Sequence, residues 1–117
     1  MTYGRIFSFA CQAFLKLREN GIHIKILKIN RIKPLDRRII SEVSYCKNVF
    51  FFEEGIKSGG VAEKLGNMLL ENGYKGTYKI TAVEDEFVEQ ASVNRQLERY
   101  KLDCDGIVKE VTQALGR

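Results

Sequence analysis

The chain is poor in the residues that staple, break or ligate. It has three cysteines, one proline and one histidine in 117 residues. Cys11, Cys46 and Cys104 are odd in number and far apart, so they make no disulfide framework for a small secreted fold. A reduced, cytosolic protein is the natural expectation. Pro34 stands alone, which excludes a proline-rich linker. Long apolar runs are missing too. Runs such as Val49 to Phe52 are as long as they get, against the roughly 20 residues of a membrane-spanning helix. The first residues lack the basic region and apolar stretch of a signal peptide. No internal repeat or low-complexity segment occurs.

What is present reads as one folded unit. Hydrophobic residues make up 44% and charged residues 29%, a globular composition, and the length suits a single domain of ~100–200 residues. The net charge of +4 is local. Residues 25–38 carry six basic side chains (Lys25, Lys28, Arg31, Lys33, Arg37, Arg38) against Asp36, while the remainder is nearly neutral.

Hydrophobic spacing places the elements. Ile6, Ala10, Ala13, Phe14 and Leu17 share one face of a helix over 6–20, and Gly21 supplies its stop. Residues 22–30 alternate (Ile22, Ile24 and Ile26 against His23 and Lys25), which predicts a strand. Asp36 is placed to cap a helix holding Ile39, Ile40 and Val43. The apolar centre of 48–53 predicts a strand covered on both faces. A loop over 54–60, a helix over 61–72 ended by Gly73, a strand over 78–83, a short helix after Ser92 and a final helix over 103–115 complete the order. Such alternation predicts an α/β fold, a mostly parallel sheet with helices on both faces. An α/β chain of this kind opens on a strand, yet only Met1, Thr2 and Tyr3 precede Gly4. Typical strands run ~5–6 residues. We therefore expect a truncated first strand and a piece of a longer polypeptide; the alternative is a stubby edge strand.

No residue cluster announces chemistry. Glu53, Glu54, Gly55, Gly59 and Gly60 lie between a strand and a helix, where backbone N–H groups often meet an anion. The spacing is neither a phosphate loop nor a dinucleotide fingerprint, and the two carboxylates oppose phosphate, so a structural turn is the favoured reading. Asp85, Glu86 and Glu89 surround Phe87. Paired carboxylates serve acid–base work or a divalent cation, but a solvated acidic loop is the commoner arrangement. His23, in mid-strand, reads as a half-buried structural residue. The cysteines have no partner base and read as inert buried thiols. The basic stripe is spaced to track phosphates, yet it lacks interleaved aromatics.

Six segments, taken in order, carry a resemblance. They are Thr2 to Ser8, Arg31 to Asp36, Glu53 to Gly55 with Gly59 and Gly60, Glu71 to Tyr74, Asp85 to Glu89 with Ser92, and Leu102 to Ile107. Together they resemble the C-terminal domain of the 1-deoxy-D-xylulose-5-phosphate synthases, transketolase-like thiamine diphosphate enzymes, over essentially the whole chain. Two departures occur: Val61 and Ala62 follow Gly59 and Gly60 where relatives often have Phe-Gly, and Gln90 and Ala91 stand where relatives usually have His-Gly.

The resemblance implies a three-layer α/β/α domain whose mixed sheet has about five strands, one opposite to the rest. It implies residues 1–117 as one C-terminal domain of a larger, cytoplasmic, bacterial homodimer. That enzyme condenses pyruvate with glyceraldehyde 3-phosphate, releases carbon dioxide, and feeds isoprenoid and thiamine synthesis. Thiamine diphosphate and Mg²⁺ belong to its upstream domains, so we expect none bound here, no catalytic residue, and an inactive isolated domain. Glu53 to Gly60 and Asp85 to Ser92 are then the expected domain or subunit contacts. Two rival readings follow from the residues: a basic-stripe module for nucleic acid or an acidic partner, and a small-molecule domain using the 55–60 turn.

Overall fold

The computed structural model describes residues 1–30, 35–56, 60–83 and 102–116. Helix α1 (Ile6–Glu19) buries Ile6, Ala10, Ala13 and Leu17, the expected stripe, with Phe14 at its margin. Gly21, at φ +77°, turns the chain out of it, a conformation that a Cβ would oppose. Helix α2 (Arg38–Val43) is short. The Asp36 carboxylate accepts the Arg38 N–H at 2.9 Å, so it tethers the first turn from one residue outside the boundary position, Arg37. Strand β1 (Asn48–Ile56) leads to α3 (Val61–Glu71), then β2 (Thr77–Val83) and α4 (Cys104–Ala114). Asp103 caps α4 by accepting the Gly106 N–H at 2.9 Å.

Strands β1 and β2 pair in parallel, from Asn48 opposite Thr77 to Phe52 opposite Thr81, with a register shift before Ile56. Thr2 bridges Lys28 on one side and Phe52 on the other, both in parallel. The Thr2 N–H donates to Leu27 O at 3.1 Å and the Ile29 N–H to Thr2 O at 2.8 Å. Across the other edge, the Phe52 N–H donates to Met1 O at 3.0 Å. Extended segments therefore lie in the order 22–30, 1–3, β1, β2, and every pairing among the described residues is parallel. Two expectations change. Residues 1–3 are an interior strand, not an edge, because both of their neighbours hydrogen-bond to them. Residues 22–30 keep their alternation but among the described residues pair only at Lys28, because the facing segment is three residues long.

The sheet separates two cores. On one face α1 and α4 meet Phe52, Ile22, Ile24 and Ile26. On the other, α2 and α3 meet Val49, Phe51, Leu27 and Ile29. Odd and even positions of each strand thus serve opposite layers, as a pleated strand requires, and the three-layer α/β/α architecture is the expected one.

Candidate functional site

Parallel α/β sheets place ligands outside the carboxyl ends of their strands, where the chain changes winding direction. Here that point lies between residues 1–3 and β1. The chain leaves Tyr3 through α1 to reach segment 22–30 on one side, then returns through α2 to β1 on the other.

Glu53 occupies this position. The alternation that buries Val49 and Phe51 continues to Glu53 and carries its side chain inward, to 1% exposure. Its Oε2 accepts the Tyr3 hydroxyl at 3.1 Å and the Ala62 backbone N–H at 3.1 Å. Its Oε1 is buried and has no hydrogen-bond partner among the described residues. The Tyr78 hydroxyl donates to Ala62 O at 2.6 Å, so two tyrosines and one carboxylate clamp the first turn of α3. Burial, and then the charge of Glu53, push the Tyr3 phenol up to about 12. The same two causes, in the same order, raise Tyr78. Glu54 points the opposite way and forms a two-pronged pair with the Arg5 guanidinium, Nε to Oε1 at 2.6 Å.

The α3 N-terminus is where backbone N–H groups would receive phosphate, but a buried carboxylate already takes the Ala62 N–H, and a second negative charge beside it is repelled. The site is a structural clamp. It also corrects the expected loop over 54–60: β1 runs through Gly55 to Ile56, so Glu53, Glu54 and Gly55 are strand residues, and Gly60 is the extended boundary residue of α3. Gly59, Asp85, Glu86, Phe87, Glu89 and Ser92 lie outside the described residues. The inward turn of Glu53 was readable from the period-two pattern of β1; Tyr3 and Tyr78 carried no comparable signal.

The basic stripe breaks into local pairs. Lys25 pairs with Glu42, Arg38 with Asp36 at 2.6 Å, and the Lys28 ammonium sits 4.8 Å from the Phe7 ring centroid. Arg31 and Lys33 lie outside the described residues. His23 is exposed rather than half-buried. The cysteines are all free; Cys104 is buried and its thiol is raised by that burial, while Cys11 and Cys46 are only partly covered. Among the described residues, no three His, Cys, Asp or Glu side chains gather as a metal site needs, and no helix is long and apolar enough to cross a membrane.

A parallel sheet between two helical layers, with a buried carboxylate at its winding switch, defines a three-layer α/β/α domain. The model of the transketolase C-terminal domain family matches residues 1–107, and the chain belongs to that family. It is 30% identical over 109 residues to 1-deoxy-D-xylulose-5-phosphate synthase of Clostridium beijerinckii, covering 92% of this chain and 18% of that protein. It is 34% identical over 104 residues to the synthase of Syntrophus aciditrophicus, covering 87% and 16%. A solved structure, described as a split gene transketolase, inactive beta4 tetramer, superposes with a TM-score of 0.85 at 26% identity, covering 98% of this chain and 38% of that one. The chain thus spans under a fifth of the length of these synthases.

Proposed function

We propose that residues 1–117 act as the C-terminal scaffold domain of a 1-deoxy-D-xylulose-5-phosphate synthase in the bacterial cytoplasm. The reaction would join pyruvate to glyceraldehyde 3-phosphate with loss of carbon dioxide. The observation that carries this reading is the match to synthases along nearly the whole chain, joined to a winding switch closed by Glu53. The carbanion chemistry belongs to thiamine diphosphate, which a protein binds and orients. This chain contributes no ligand to it or to Mg²⁺; other domains of the same enzyme hold both. Its role is to dock against those domains and support the homodimer. Segments 53–60 and 85–92 are the surfaces we assign to those contacts.

The test is a domain exchange. The Clostridium beijerinckii synthase, truncated before its C-terminal domain, is compared with the same protein carrying residues 1–117 in that place. Restored product formation is expected from the chimera, with no turnover and no thiamine diphosphate binding by calorimetry for residues 1–117 alone. Turnover or micromolar cofactor binding by the isolated chain would overturn the assignment. The nucleic-acid reading has no comparable support, since Lys25 and Arg38 hold carboxylates of their own.

A further inference from the structure

One edge of the sheet is open and unguarded. Segment 22–30 has residues 1–3 on its inner side, where Leu27 O and Ile29 N–H make their bonds. N–H and C=O of one residue point to the same side of an extended chain, and the side changes at each residue. The amide groups of Ile24, Ile26 and Lys28 therefore point outward, and among the described residues no backbone bond reaches them. Natural sheet edges are commonly guarded by lysines that project along them. Both lysines of this edge are drawn away from it. Lys25 pairs with Glu42 on the α2 side, and the Lys28 ammonium lies over the Phe7 ring on the α1 side. Beside the edge runs an open apolar groove lined by Cys11, Phe14, Leu15, Ile24 and Ile26. Leu15 stands out of it, 59% exposed, while Ile24 and Ile26 are half-buried.

We propose that this edge pairs with the same edge of a second copy of the chain, antiparallel about a two-fold axis normal to the sheet, so that two sheets become one. Three observations select a second copy. The patch is self-complementary: a two-fold contact needs a projection and a hollow on one surface, and Leu15 beside the groove supplies both. The backbone matches itself as well. Facing residues of an antiparallel pair exchange N–H and C=O bonds, so Ile24 and Ile26 of each copy can satisfy one another. The charges around the patch, finally, are compensated within each copy, Lys25 by Glu42 and Lys16 by Asp105. Two chains of like net charge can therefore approach here without opposed cations, and the same compensation removes the attraction an acidic partner would need. An axis normal to the sheet puts both α1 helices on one face, where Leu15 of each copy covers the groove of the other. The contact uses none of the residues assigned above to domain contacts, and it does not depend on the reaction proposed for the longer enzyme.

The test is sedimentation of the full chain from about 5 to about 500 μM, the range in which a small contact of this kind is populated. Amide exchange is followed at both ends of that range. A reversible dimer is expected, with exchange at Ile24 and Ile26 slowed in the concentrated sample. Leu15→Glu, at an exposed helix position, should weaken association at least about tenfold, because the contact would bury its carboxylate. It should also restore fast exchange at both amides, with helical dichroism equal to that of the parent. A chain that stays monomeric throughout would overturn the proposal. So would a dimer that Leu15→Glu leaves intact, or one that forms without slowing exchange at Ile24 and Ile26. The exchange comparison is made on the parent chain, so it decides the matter even where the variant fails to fold.

Discussion

Glu53 shows how one buried carboxylate is made tolerable. A buried charge needs partners, and Tyr3 and Ala62 provide two on Oε2 while Oε1 has none among the described residues. Replacing it by alanine leaves the Ala62 N–H and the Tyr3 hydroxyl unpaired, and each such loss costs about 1–3 kcal/mol. We expect Glu53→Ala to lower unfolding free energy by about 2–4 kcal/mol in urea titration; a change under half of that would contradict the clamp. Burial first, and this carboxylate second, set the alkaline limit. Folding raises the Tyr3 phenol from 10.0 to about 12 and raises Tyr78 as well. Between those values the unfolded chain has already released protons that the folded chain retains, so stability is full below pH 10 and falls above it. Glu53→Gln removes the charge that is the second cause of both shifts. Phenolate absorbance of the folded variant should therefore titrate at lower pH than in the parent, and an unchanged titration would refute the coupling.

At the scale of elements, spacing predicted the helices well because their buried stripes are regular: Ile6, Ala10, Ala13 and Leu17 in α1, and Leu65 and Leu69 in α3, lie inward as period 3.6 requires. The strands were legible in type, less so in extent. Periodicity does not mark a three-residue strand, so the interior place of residues 1–3 emerges only from their long-range bonds to Leu27, Ile29 and Phe52. The clamp was half legible, since alternation points Glu53 inward but says nothing of which hydroxyl meets it. Gly76 was not legible at all. A Cβ there would lie 2.3 Å from the Tyr74 hydroxyl and 2.7 Å from Lys47 O. That carbonyl is fixed as the acceptor of the Thr77 N–H at 2.9 Å, so the backbone at the entry of β2 has no room to give. Gly76→Ala should destabilise by about 1–3 kcal/mol, the usual cost of overpacking, and a neutral denaturation midpoint would show that the β1–β2 entry is looser than this. Asp103→Ala, which removes the α4 cap, should cost about 1 kcal/mol in the same measurement.

At the scale of the whole molecule, the two helical layers are joined through the sheet, and β1 serves both: Phe52 packs with α1 and α4, Phe51 with α2 and α3. Phe51 is fully buried, so Phe51→Ala should cost about 3–5 kcal/mol of unfolding free energy. Because both layers share that strand, they should unfold together. Urea titration followed by far-ultraviolet dichroism and by tyrosine fluorescence should give one coincident midpoint, lowered in the variant; separate midpoints would mean that the layers hold together independently of β1.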